Sequence, residues 1–117
     1  APDGAELTQM NYEFYPEALE HVIRKVAEDF KGDLIVTENG IATADDKRRI
    51  AFIEQALSGV QNCIRDGLPV KGYFHWSLLD NFEWQKGYSM TFGLIAVDRT
   101  TQTRKPKASL AYLGSYL

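Results

Sequence analysis

The chain is 117 residues long, with 13 Lys+Arg against 16 Asp+Glu and a formal net charge of −3. It is 44% hydrophobic and 25% charged, which excludes a disordered tail and a collagen-like chain. The mild acidity argues against a nucleic-acid surface, and no apolar run approaches the ~20 residues needed to span a bilayer.

Ala1 to Gly4 is turn-rich and reads as a mobile end. From Pro16 the pattern is helical: Leu19, Val22, Ile23, Val26, Ala27 and Phe30 form an apolar stripe at period 3.6. Pro16 suits a first helical turn, Glu17 complements the positive helix end, and Gly32 is the expected stop. Leu34-Ile35-Val36-Thr37 is short, apolar on both faces and rich in β-branched residues, as a buried parallel strand is. Asn39-Gly40 ends it, the glycine allowing a sharp bend.

A second helix is predicted from near Asp45, with Thr43 and Asp46 at capping-box spacing. Ile50, Ile53, Leu57, Val60 and Ile64 carry its apolar seam, and Gly67 and Pro69 stop it. Val70 to Trp76 reads as a second strand, Leu79 to Tyr88 as a long aromatic loop and Phe92 to Val97 as a short extended piece. Arg99 to Pro106 is polar and turn-rich, and Lys107 to Leu117 is predicted as a final helix. Helices and strands alternate, which implies an α/β fold with parallel strands and right-handed crossovers. Two central strands are too few for a covered sheet, so either copies of the chain associate or strands from elsewhere complete it.

Functional groups in parallel α/β architectures gather at the carboxyl ends of strands. Glu38 occupies such a place, as a nucleophile or acid/base, or alternatively as a carboxylate turned to solvent or capping the next helix. His75 to Trp84 follows the second strand and joins two tryptophans and Phe82 to Asp80, Asn81 and Glu83. Aromatic faces beside polar side chains suit a pocket that orients a small molecule such as a sugar. The competing reading makes Trp76 and Phe82 core residues and Asp80 and Asn81 turn formers. His75 alternates with Trp76, so at most one of them faces the mouth. His21 is a surface or packing residue, and Cys63 is inert helix packing. The group Arg99, Arg104, Lys105 and Lys107 reads as a solvated hairpin. The sequence contains no metal-ligand spacing, phosphate-binding glycine loop or nucleophile elbow, and no cofactor is expected. No N-terminal basic region precedes an apolar one, and with a single cysteine this predicts a cytoplasmic location.

Taken together, these stretches resemble the C-terminal end of the glycoside hydrolase family 1 enzymes, the β-glucosidases and β-glycosidases. Asn11 to Leu19 is similar to the family's W-E-x-Y-P-E-G-L segment, and Ile35 to Gly40 to its I-T-E-N-G signature. Tyr73 to Trp84 follows its Y-x-W-S-L-x-D-N-F-E-W block almost residue for residue. Phe92-Gly93-Leu94 and Lys105 to Ser109 resemble its closing F-G-L and R-x-P-K-x-S segments. The resemblance implies a (β/α)8 barrel, of which residues 1–117 would be the C-terminal part, supplying strands seven and eight with their helices. A complete barrel needs about 250 residues. It further implies that Glu38 is the catalytic nucleophile, that Trp76, Glu83 and Trp84 line the subsite for the non-reducing sugar, and that Phe92 flanks it. Glu83-Trp84 speaks against the phospho-glycosidase branch, which has a Ser/Lys/Tyr phosphate-binding set there.

A retaining glycosidase needs two carboxyl groups about 5 Å apart. The family's second carboxyl lies in an N-E-P motif on strand four, which this sequence lacks. It also lacks the strand-one Gln, strand-three His and strand-six Tyr that the family uses. The expected partners are therefore an N-terminal barrel portion carrying the acid/base and a β-glycoside substrate, and the chain alone is expected to be inactive. The alternatives are a non-catalytic sugar-binding or self-assembling module, and, more remotely, a small flavodoxin-like domain.

Overall fold

The computed structural model describes all residues, 1–117. The chain has three helices, α1 (Ala18–Asp29), α2 (Asp46–Arg65) and α3 (Ala108–Gly114), and four short strands, one between α1 and α2 and three between α2 and α3. The strands are β1 (Leu34–Val36), β2 (Val70–Tyr73), β3 (Ile95–Val97) and β4 (Arg104–Pro106). β1 and β2 pair in parallel, with Leu34 opposite Val70 and Val36 opposite Tyr73, and with a register shift between Leu34 and Ile35. β3 and β4 form a separate antiparallel hairpin. The fold is thus mixed α/β, and no helix is long and apolar enough to cross a membrane.

α2 is the centre of the molecule, because each of three apolar clusters contains its residues. Val60 and Cys63 meet Ile23 and Val70; Phe52 and Ala56 meet Ile41; Ile53 and Leu57 meet Leu94. The buried face therefore differs from the seam read from its spacing: Phe52, Ala56 and Cys63 join Ile53, Leu57 and Val60, while Ile50 is half-buried and Ile64 is exposed. Its ends are made locally. Asp45 accepts from Lys47 N at 2.9 Å, and Thr43 Oγ1 accepts from Asp45 N at 3.1 Å. At the other end Gly67, at φ +85°, takes the left-handed turn. Gly67 N–H then reaches Ile64 O and Leu68 N–H reaches Cys63 O, each at 3.0 Å, which satisfies two terminal carbonyls.

Several boundaries differ from the sequence reading. α1 starts at Ala18 rather than Pro16 and ends at Asp29, three residues before Gly32. Lys31 Nζ donates to Ala27 O and Glu28 O at 2.8 and 2.7 Å, so a cation closes the helix before the glycine. Only Ile23 of the α1 stripe is buried, and Val22, Val26 and Phe30 are exposed. β2 ends at Tyr73, yet the ladder continues irregularly through Phe74 N–H to Val36 O and Trp76 N–H to Asn39 O, both 2.8 Å. The Arg99 to Pro106 stretch ends in β4, whose three residues are exposed.

Asp46 serves a different helix from the one it begins. Its carboxylate accepts from Ser109 N–H at 2.9 Å and Ser109 Oγ–H at 2.7 Å, anchoring the start of α3. It also takes the Arg49 guanidinium at 2.5 Å. Burial raises its pKa, but the Ser109 and Arg49 hydrogen bonds outweigh that and hold it below the usual carboxylate range.

Candidate active site

Both parallel strands open at their carboxyl ends onto one region, and the backbone ties its parts together. β1 leads into Thr37-Glu38-Asn39-Gly40, where Asn39 O receives Trp76 N–H. Gly40 is required here by space, not by a bend: a Cβ on it would lie 1.8 Å from Trp76 O. The sequence reading assigned that glycine to a sharp turn, but its φ is not in the left-handed region. Behind the loop, Tyr73 Oη–H donates to Asn39 Oδ1 at 2.9 Å and lies 3.5 Å from His75 Nδ1. Burial lowers the pKa of His75 to about 4, with a further push from the Arg49 charge, so the imidazole is neutral. Its Nε2 is buried without a partner. Trp76, next in line, is 39% exposed, so the expected alternation of these two side chains is present.

The chain then turns through a cis peptide between Trp76 and Ser77. Ser77 N–H donates to Phe92 O at 3.3 Å and Leu94 N–H to Ser77 O at 2.9 Å, so the segments around Trp76 and Phe92 lie side by side. Asn81 Nδ2 donates to Ser77 Oγ and Leu79 O, each at 3.1 Å, which shapes the turn. Asp80 does more than form a turn, since it joins Gly93 and Lys107. Glu83 precedes a single 3-10 turn, Trp84–Lys86. Its N–H meets Gly87 O at 2.7 Å, where Gly87 has φ +59°.

Glu38 is exposed, and no hydrogen bond or ion pair within the chain engages its carboxylate. It lines a hollow of about 260 Å³ with Val26, Ile35 and Thr37. Trp84 is 84% exposed and shares a hollow of about 240 Å³ with Glu83, Met10 and Tyr12. Phe92 lines a third, of about 320 Å³, together with Gly40, Ile41 and again Met10 and Tyr12. Glu38, the Glu83–Trp84 pair and Phe92 thus line three separate hollows: Glu38 closes the groove between α1 and β1, Met10 and Tyr12 divide the other two, and Trp76 lines none of them.

Those two wall residues were not singled out from sequence, although Tyr12 lies within the matched Asn11 to Leu19 stretch. Arg49 was missed altogether. It is fully buried, and its Nη2 donates at 2.6 Å to both Thr43 O and Thr91 O. It therefore clamps the loop after Glu38 to the segment that carries Phe92. The chain holds no group of three His, Cys, Asp or Glu placed to bind a metal ion.

The family model of glycosyl hydrolase family 1 matches residues 3–116. The chain belongs to this family. Beta-glucosidase A of Thermotoga maritima is 40% identical over 112 residues, which are 87% of this chain and 25% of that protein. A 6-phospho-beta-galactosidase of Lacticaseibacillus casei is 38% identical over 129 residues, covering 97% of this chain and 27% of its own length. A beta-glucosidase solved in the apo state superposes with a TM-score of 0.96 at 58% identity, over 98% of this chain and 29% of that one. Family 1 relatives are thus glycosyl hydrolases, and this chain spans between a quarter and a third of the length of the ones described.

Proposed function

We propose that this chain is the C-terminal part of a retaining β-glycosidase, supplying strands seven and eight of a (β/α)8 barrel. β1 and β2 are those strands, α2 is the helix between them and α3 the helix after β2. Glu38 is the nucleophile. Its carboxylate attacks the anomeric carbon of a terminal β-linked hexoside as the glycosidic C–O bond breaks. A carboxyl from the N-terminal portion protonates the leaving oxygen and then activates the water that releases the sugar. Trp76, Glu83, Trp84 and Phe92 hold the sugar: Glu83 accepts from its hydroxyls and the aromatic faces cover the ring. The Glu83–Trp84 pair favours a neutral sugar over a phosphorylated one.

The observation that carries this reading is the position of Glu38. It is an exposed, unengaged carboxylate at the carboxyl end of a parallel strand, with its loop hydrogen-bonded directly to Trp76. The test uses the enzyme assembled from this chain and its N-terminal portion. A 2-deoxy-2-fluoro-β-glucosyl fluoride slows the second step, so the sugar should remain on the peptide containing Glu38, as mass spectrometry reads. Glu38→Gln should lower turnover by at least ~10³-fold and leave glucose binding in place. A label on another residue, or turnover surviving in Glu38→Gln, overturns the assignment. Sugar binding by the chain alone as a homo-oligomer would instead support the non-catalytic module.

A further inference from the structure

Lys107 and Asp80 form an enclosed ion pair at 3.0 Å, their side chains only 16% and 13% exposed. Both converge on Gly93. Lys107 Nζ donates to Gly93 O at 2.7 Å, while Gly93 N–H donates to Asp80 Oδ1, also at 2.7 Å. The pair therefore takes both backbone polar groups of one residue. Lys107 N–H adds a bond to Leu94 O at 2.9 Å. The contact is close enough to exclude any side chain, since a Cβ on Gly93 would lie 2.1 Å from Asp80 N.

The place of this junction matters more than its strength. Gly93 directly follows Phe92, and Asp80 sits midway between Trp76 and Glu83. Lys107 is the residue from which α3 starts. One ammonium thus couples the start of α3 to both segments that carry aromatic walls. Lys107 and Asp80 are both enclosed and bonded to Gly93 and to each other, so neither is placed to touch a sugar.

We infer that Lys107 and Asp80 are positioning residues that lock the Phe92 wall to the Trp76–Trp84 segment and so set affinity for the sugar ring. The inference rests on the reading of those aromatics as the sugar subsite. It separates holding the ring from the chemistry at Glu38, because the latch hydrogen-bonds within the second strand's loop, the Phe92 segment and the start of α3, while the Glu38 loop keeps its own bonds to Trp76 and Arg49.

The experiment compares two variants in the assembled enzyme. Lys107→Met leaves Asp80 without its cation, which threatens folding. The double variant Asp80→Asn/Lys107→Met is charge-balanced, and its amide oxygen still accepts from Gly93 N–H. What it lacks is the ammonium, and with it the donor to Gly93 O and the link from α3 to residue 80. In the double variant, KM and the inhibition constant of glucose should rise together by about tenfold, with kcat within about threefold of wild type and the melting temperature unchanged. Unchanged KM and glucose inhibition, or a fall in kcat at constant KM, overturns the inference. Failure of the nucleophile assignment reads out separately, as turnover surviving in Glu38→Gln.

Discussion

α1 and α2 flank the same strand, and their apolar residues meet opposite fates. Along α2, Phe52, Ile53, Ala56, Leu57, Val60 and Cys63 are all buried by residues of this chain. Along α1, Val22, Val26 and Phe30 are exposed, and so is Ile35 on the adjoining β1. The polar groups divide in the same way. Around α2, Arg49, Asp46, Ser109 and the carbonyls of Thr43 and Thr91 form one hydrogen-bonded group, with only Arg49 Nε left unpartnered. The ion pairs of α1 are exposed or half-buried ones such as Arg24–Asp66 and Lys25–Glu28. One side of the molecule is an interior closed by its own residues. The other is an apolar face beside the hollow that Glu38 lines, and in the proposed barrel it is where the N-terminal portion seats.

Three measurements would break or sharpen that contrast. The largest effect is expected at Arg49. Arg49→Met takes the cation from the enclosed Asp46 carboxylate and one donor from each of two enclosed carbonyls, at a cost of about 3–5 kcal/mol in urea unfolding. A loss below about 1 kcal/mol would show that the α2 side is not the rigid half.

Next comes acid. His75 is held neutral in the fold, with its pKa lowered from 6.5 to about 4. The unfolded chain binds the proton first as pH falls, so this contribution is fully present above about pH 6.5 and is lost as pH falls to about 4. The loss is at most about 3 kcal/mol. Unfolding curves of wild type and His75→Phe should run parallel above about pH 6.5, and between there and about pH 4 wild type should lose more stability than the variant. Curves that stay parallel across that lower range would mean that His75 is solvated in the fold.

The smallest effect should come from the open face. Val26→Ser should change the stability of the chain alone by no more than about 0.5 kcal/mol, as at other exposed sites. Ile53→Ala, within α2, should cost roughly 2–5 kcal/mol. In the assembled enzyme the cost of Val26→Ser should rise, and an equally small value there would place the N-terminal portion elsewhere.

Much of this was legible because it is local. The runs Leu34 to Val36 and Ile50 to Val60 carry period and composition within a single window, and Gly67 marks its helix end by a left-handed φ that glycine adopts without strain. The stretches around Glu38 and Trp76 were legible as motifs, and the family match agrees with them. Other features depend on residues far apart in the chain. Asp46 has capping-box spacing with Thr43, yet its carboxylate goes to Ser109, 63 residues away. Asp80 and Asn81 look alike as turn formers, but Asp80 belongs to a latch whose cation lies 27 residues on. Arg49 sits in the charged run Asp45 to Arg49, where nothing sets it apart from Lys47 and Arg48.

By itself the sequence determined the order of the three helices and the two parallel strands, the place of Glu38 at a strand end and the family. Those depend on side-chain period, backbone preference and the identity of neighbours along the chain. Only the tertiary structure decided which apolar stripe is covered, which charges are buried, and why Gly40 and Gly93 carry no side chain. Burial and close approach arise between segments that the chain brings together in space, and no window of neighbouring residues contains both sides of such a contact.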